Sequence, residues 1–312
     1  MLSRRLLRIK TIKALYAHFK SDSDSLLSSE KNLILSIDKT YDLYFQMLRL
    51  VADVARYAED RIELARNKKL PTYEDLNPNL KFVQNPVIRQ IDTSALINDF
   101  LSKRALGWVN SPELIKNLYN GMVGSDYYAE YMASPDHSYK KAVKLVMDFY
   151  LNQVEDNPLL EEVVEEQSIF WCDDIDFSLI MVMRTLDACK ATQEEMPVLP
   201  KFKSEEDLQY TKELFRKTLV NYDEYMKYIE RFTQNWDVER IAFMDNLIMA
   251  TAVAELINFD SIPVRVTLDE FIEISKYYST PGSSVFINGI IDRIAETLTA
   301  EGRINKFGRG LI

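Results

Sequence analysis

Glycine and proline are scarce in this 312-residue chain, at 8 and 10 copies. Sandwiches, barrels and doubly wound sheets call on turn residues more often than that, so the composition points to helices. Cysteine and histidine are scarcer still. Cys172 and Cys189 cannot make a disulfide framework, and with His18 and His137 they do not form a zinc cluster at these spacings. A cytoplasmic setting is the default. No signal-type apolar region follows the N-terminal arginines. The most apolar run, Ile241 to Ile257, is interrupted by Asp245, Asn246, Thr251 and Glu255. It falls short of the ~20 residues a membrane span needs, and reads as a buried helix.

Catalytic signatures are missing as well. There is no GxGxxG after a strand, no GxxxxGK[ST] and no GxSxG elbow. Neither histidine sits three residues after a glutamate, as a di-metal helical site would want. Cys172, beside Trp171, lacks a convincing histidine partner. The expectation is a protein with no enzymatic activity, no catalytic residues, no cofactor and no metal.

What is present is enough to build a core. The chain is 47% hydrophobic, with 17 Tyr and 15 Phe, which argues against disorder over most of its length. Its formal charge of -10 is unevenly placed. Residues 1–20 carry Arg4, Arg5, Arg8, Lys10, Lys13 and Lys20 and no acid, while residues 155–176 carry nine acids and no Lys or Arg. The tail turns basic again at Arg303, Lys306 and Arg309. Such a protein is no general nucleic-acid coat, but it can hold one polyanion at one place.

Periodicity places a helix from a Ser3 cap to about Lys20, with Ile9, Ile12, Tyr16 and Phe19 on one stripe and Leu15 beside it. A long helix follows over about 32–67, and 68–98 reads as irregular, with Pro71, Pro78 and Pro86. Further helices are expected near 112–121 (Ser111 cap, Pro112 at the first position), 139–154, 159–170 and 176–192. The last third reads as a four-helix unit. A Ser204–Asp207 capping box opens a helix to about Phe232, an almost wholly apolar helix runs from Val238 to about Asn258, and a Thr267–Glu270 capping box opens a helix to about Tyr278. A turn with Pro281–Gly282 leads to a final helix whose stripe is Ile287, Ile290, Ile291, Ile294 and Leu298.

Arginines in a first helical turn oppose the helix dipole, and Arg4 and Arg8 repel each other at i, i+4. Phosphates of a nucleic acid would relieve both. The alternatives are a solvated basic end or contacts with the acidic 155–176 region.

The run Arg4-Arg-Leu-Leu-Arg8-Ile-Lys10-Thr-Ile-Lys-Ala14-Leu15-Tyr16 resembles the opening helix of the NusB family of bacterial transcription antitermination factors. Tyr210 to Phe232 is similar to the family's third helix. Trp236, Arg240, Leu247, Ala250, Ala254, Glu255 and Leu256 fit its central helix, and Ile262-Pro263-Val264, Leu268-Asp269-Glu270 and Ser275-Lys276 fit the next segment. Phe286-Ile-Asn-Gly-Ile-Ile-Asp292 fits the family's FVNGVLD signature.

The resemblance implies an all-α fold, a NusB-like helical bundle with an additional helical insertion. The parts are a basic N-terminal helix region over 1–29, the insertion over 30–203, a NusB-like core over 204–298 and a basic tail over 299–312. It further implies a non-enzymatic factor that binds single-stranded boxA-type RNA of ribosomal-RNA transcripts together with NusE, a small-subunit ribosomal protein, within an antitermination complex, away from any membrane. Carried over by position, Arg4, Arg5 and Arg8 contact RNA phosphates, Phe286 stacks on a base, and Gly282 and Ser283 lie in the RNA-contacting turn. Tyr16 and Glu255 face NusE. Phe286 sits roughly 100° from the Ile287 stripe, on a face with Gly289 and Arg293, which suits stacking on a base; the alternative is an ordinary core phenylalanine. Glu255, an acid in an apolar helix, calls for a partner, internal or external, and an external basic one is expected.

Leu6 stands where the family often has another arginine, and Gly282 and Val285 stand where polar or charged residues are common. These departures, with the acidic 155–176 stretch, motivate a different class of function: a helical protein-interaction scaffold that has lost RNA binding.

Overall fold

The computed structural model describes residues 1–21, 25–233 and 241–306. Among these the regular elements are all helices, with no strand, and the chain divides into two compact units. Unit one comprises Met1 and residues 38–201; unit two comprises 2–37 and the chain from 202 onward.

Unit one holds α2 (Leu26–Arg66) from residue 38 on, then α3 (Tyr73–Leu76), α4 (Pro86–Thr93), α5 (Ala95–Arg104), α6 (Pro112–Val123), α7 (Asp126–Ala133), α8 (Tyr139–Phe149), α9 (Pro158–Gln167) and α10 (Ile175–Ala188). Its aromatic side chains are fastened to α2. The Trp108 indole donates to the Gln46 carbonyl at 2.9 Å, the Tyr150 hydroxyl to the Met47 carbonyl at 2.7 Å, and the Trp171 indole to the Lys39 carbonyl at 2.6 Å. The stretch expected to be irregular contains α3, α4 and the start of α5. Pro86 is a first-turn residue there, because the Asn85 side chain accepts from the Val87 and Ile88 amides, and Ser94 caps α5 in the same way. The helix expected over 139–154 changes character at residue 150 and ends in a π turn, Tyr150–Val154.

Unit two holds α1 (Arg4–Lys20), the first part of α2, and α11 (Glu205–Val220), α12 (Tyr222–Thr233), α13 (Phe243–Asn258), α14 (Val264–Tyr278) and α15 (Ser283–Ala300). α13 is its centre. Asp245 and every residue from Leu247 to Leu256 are buried, and α1, α11, α12, α14 and α15 all pack on it. The α15 stripe of Ile287, Ile290, Ile291, Ile294 and Leu298 is buried as its period requires.

Four local expectations are corrected. The single helix expected to Phe232 is two, divided at Asn221. Ser204 makes no side-chain cap; Asp207 instead accepts from the Lys203 amide and from Arg4. α14 begins at Val264, so Thr267 lies inside the helix, where its hydroxyl serves a buried acid rather than the backbone. On α1 the buried stripe is Leu6, Leu7, Ile9, Ile12 and Leu15, which leaves Tyr16 39% exposed and Phe19 half-buried. The proposed start of α13 at Val238 lies outside the described residues, as do Trp236, Arg240 and Arg309.

Candidate nucleic-acid interface

α1 and α14 lie side by side in the same direction. Arg5 on α1 meets Glu270 on α14, and eight residues further along each helix the Lys13 ammonium sits 5.2 Å from the Tyr278 ring centre. The expected site residues are thereby distributed between two ends of one edge. At a rise of about 1.5 Å per residue, the Arg5 and Tyr16 levels are about 16 Å apart along α1.

At the first end every arginine is matched by an acid. Arg4 donates to Asp207 at 2.9 Å, and Arg5 makes a two-pronged pair with Glu270, both bonds 2.9 Å. Both guanidinium groups remain partly in solvent, with side chains 41% and 44% exposed. Arg8 differs. Its side chain is 3% exposed and it donates to the wholly buried Glu255 carboxylate at 2.8 and 2.9 Å, with Glu270 a further 3.5 Å away. The Tyr210 hydroxyl and the Thr267 hydroxyl (2.8 Å) also donate to Glu255, so the carboxylate is fully used. Two positions are corrected by this geometry. Arg8 does not present its charge to phosphate, and the partner of Glu255 is internal, because α13 is too deep for its acid to reach the surface.

The electrostatics follow from that enclosure. Burial, reinforced by the Glu255 charge, holds the Tyr210 phenol well above its ordinary range, with Arg8 and Arg4 opposing. Burial acts to lower the Arg8 guanidinium, but Tyr210, Glu255 and Glu270 together outweigh it and hold the group above its ordinary value. Arg4 and Arg8 also lie over the Tyr210 ring, at 5.1 and 5.7 Å from its centre. At the base of α13, Lys306 donates to the Glu255 and Phe259 carbonyls at 3.2 and 2.9 Å, a cation placed where a helix end is negative.

The second end is built around Asp245, near the start of α13. Its carboxylate accepts from Ser279 and, at 2.9 Å, from Ser283, while the Thr280 and Ser283 hydroxyls are 2.7 Å apart. The turn between α14 and α15 is therefore tied down from inside, and the Ser283 hydroxyl faces the protein. The Ser283 hydroxyl is committed to Asp245, while the residue keeps its place in the turn expected to meet RNA. Gly282 is exposed with φ +91°, a backbone setting that other residues adopt only with strain. Phe286 is half-buried and Val285 is 78% exposed. Beside the turn, Tyr16, Phe19, Tyr222 and Phe243 form a ring cluster, with neighbouring centroids 4.6–5.9 Å apart, and the Lys20 ammonium lies 4.5 Å from the Phe243 ring centre.

Sequence reasoning found the basic helix and the turn but missed Asp207, Glu270 and Asp245. The first two were read as helix-opening acids and the third as an interruption of an apolar run. No local signal distinguishes such an acid from the partner of a distant arginine. Among the described residues no group of His, Cys, Asp or Glu could hold a metal ion, and no helix is long and apolar enough to cross a membrane. The acids of 155–176 make no such group, and Asp174 among them is buried, accepting from Thr40 at 2.5 Å.

Unit two is thus a helical bundle with a basic first helix locked onto a central apolar helix, with partly solvated arginines at one end of α1 and an aromatic cluster at the other. The NusB family profile matches residues 180–296. The transcription antitermination protein NusB of Salinibacter ruber is 41% identical over 138 residues, which is 42% of this chain and 86% of the relative. The proteins of the same name from Chloroherpeton thalassium and Natranaerobius thermophilus are 35% identical over 99 residues and 38% over 90, covering 47% and 65% of their lengths. The chain belongs to the NusB family. No solved structure matches it.

Proposed function

We propose that this protein is a transcription antitermination factor that holds single-stranded, boxA-type RNA of ribosomal-RNA transcripts along the α1–α14 edge, together with a NusE-type ribosomal protein. The observation that carries the reading is the edge itself. Arg4 and Arg5 stand half-exposed at one end, and Gly282, Phe286 and the Tyr16–Phe243 cluster with Lys20 stand at the other. Phosphate-binding cations and stacking rings at separate points on one surface suit a flexible single strand, whose backbone and bases need not be read at one spot. The exposed edge of Tyr16 is the assigned contact for the protein partner.

The charge balance supports one local polyanion site. Unit two carries 20 Lys and Arg against 21 Asp and Glu, whereas unit one carries 18 against 27. The RNA therefore meets a nearly neutral unit in which Arg4, Arg5, Lys13 and Lys20 set cations along the length of α1.

A gel shift with a short boxA-like RNA, with and without a NusE-type protein and at two salt concentrations, tests the reading. Cooperative, salt-sensitive binding is expected. Binding in neither condition would refute it. The scaffold alternative is favoured by one observation, the carboxylates already seated on Arg4 and Arg5; it predicts that Arg4→Ala and Arg5→Ala leave all partner binding unchanged.

A further inference from the structure

We propose that the apolar groove of unit one, between the π turn and α10, seats a basic amphipathic helix of a partner protein. The groove encloses about 450 Å³. Its floor is Tyr150, Leu179 and Met183, and Leu151 and Ile180 stand on its sides, half in solvent at 50% and 49% exposure. The Tyr150 hydroxyl is already spent on the Met47 and Leu48 carbonyls, so the floor offers apolar surface only.

The polar lining residues are Glu155, Asp176 and Arg184, all exposed at the rim. A small-molecule pocket brings a few polar groups to bear on its ligand from within, and this groove has none there. It fits instead the apolar stripe of a helix, with leucine-type side chains at i and i+3 or i+4 entering between Leu151 and Ile180.

Charge selects the occupant. The 22-residue stretch from Glu155 to Asp176 runs from one rim residue to the other and carries nine acids and no Lys or Arg. Arg184 is the single basic residue among those lining the groove. A helix whose polar flanks are Lys and Arg is drawn to this rim, and an acidic one is repelled. The π turn adds an independent mark, because extra-residue turns of this kind recur where helices have been adapted to a site; here Glu155 donates its amide five residues back to the Tyr150 carbonyl at 3.0 Å. This assignment is independent of the RNA reading, since it concerns residues of unit one alone.

The test uses the full chain, a fluorescent Leu/Lys amphipathic peptide and its Leu/Glu counterpart, followed by anisotropy. The Leu/Lys peptide should bind and the Leu/Glu peptide should not. Ile180→Glu separates groove binding from plain charge attraction, because it adds an acid while spoiling the apolar wall. It should weaken the Leu/Lys peptide by about tenfold or more, with circular dichroism unchanged. Glu155→Gln with Asp176→Asn should weaken binding and flatten its salt dependence. If Ile180→Glu disturbs the fold, Ile180→Ala serves the same comparison with a smaller loss. Equal binding of both peptides, or tighter binding by Ile180→Glu, overturns the proposal. So does sedimentation showing self-association that Ile180→Glu abolishes, which would give the groove to a second copy of this chain.

Discussion

Arg8 and Glu255 form a two-pronged ion pair, 2.8 and 2.9 Å, in which neither side chain reaches solvent appreciably. Their positions are 247 residues apart in sequence. Through them α1 is bolted to the central helix of unit two. Leaving one member of a buried pair alone costs about 3–5 kcal/mol, more than the pair itself contributes over an apolar replacement. Glu255→Gln should therefore lower the unfolding free energy of unit two by about that amount, read by urea denaturation followed by circular dichroism. A loss under 1 kcal/mol would show that the pair is solvated in solution.

Arg4 and Arg5 are held by Asp207 and Glu270, so an RNA phosphate must compete with a carboxylate for each. Asp207→Asn and Glu270→Gln should each tighten boxA-like RNA binding. Each should also steepen the salt dependence, by up to about 0.7 in the log–log slope for every further phosphate neutralised on a single strand. Arg4→Ala and Arg5→Ala should move both quantities the other way. Unchanged slopes in all four variants would remove these residues from the RNA site.

Asp245 carries the turn between α14 and α15 through Ser279 and Ser283. Asp245→Ala leaves two hydroxyls without their acceptor and should cost about 1–3 kcal/mol. The measurable consequence is faster amide exchange across residues 279–286, with the rest of unit two little changed. Exchange spread evenly over the unit would assign Asp245 to the core instead of to the turn.

Phe286→Ala distinguishes stacking from packing. If the ring stacks on a base, RNA binding weakens by about 1–3 kcal/mol while thermal stability stays near that of the parent chain. If stability falls and RNA affinity does not, the ring belongs to the packing of α15.

Alkaline pH should destabilise the protein for a specific reason. Burial raises Tyr210 well above its ordinary value and pushes Tyr41 up to about 12, so in both the folded state resists ionisation that the unfolded chain accepts near pH 10. The folded values are raised, so the stability they contribute is intact below about pH 10 and is lost as pH climbs through the folded values. Urea midpoints should be flat from pH 8 to 9 and fall above pH 10, in step with tyrosinate absorbance. A fall already complete below pH 9 would point to other groups.

Much of unit two was legible along the chain. The α15 stripe, the apolar α13 and the Ser3 cap are local patterns with a fixed period or spacing, and each is found where those patterns put it. The missed helices of unit one had local signals too, in Asn85-Pro86 and Ser94, but the nearby prolines and asparagines read as loop. Thr267 shows the opposite failure. Its capping-box spacing to Glu270 is sound locally, yet the hydroxyl is claimed by Glu255 on the preceding helix and the acid by Arg5, 265 residues away.

Helicity, a basic first helix, a buried α13 and the family itself are written along the chain, because composition, periodicity and ordered motifs are properties of neighbouring residues. Which arginine is spent inside and which remain in water depends on how the helices pack. Charge counts treat Arg4, Arg5 and Arg8 alike. Their different fates come from where α1 lands: beside α14 for Arg5, against Asp207 for Arg4, and over the buried end of α13 for Arg8, where removal from water demands a carboxylate in direct contact.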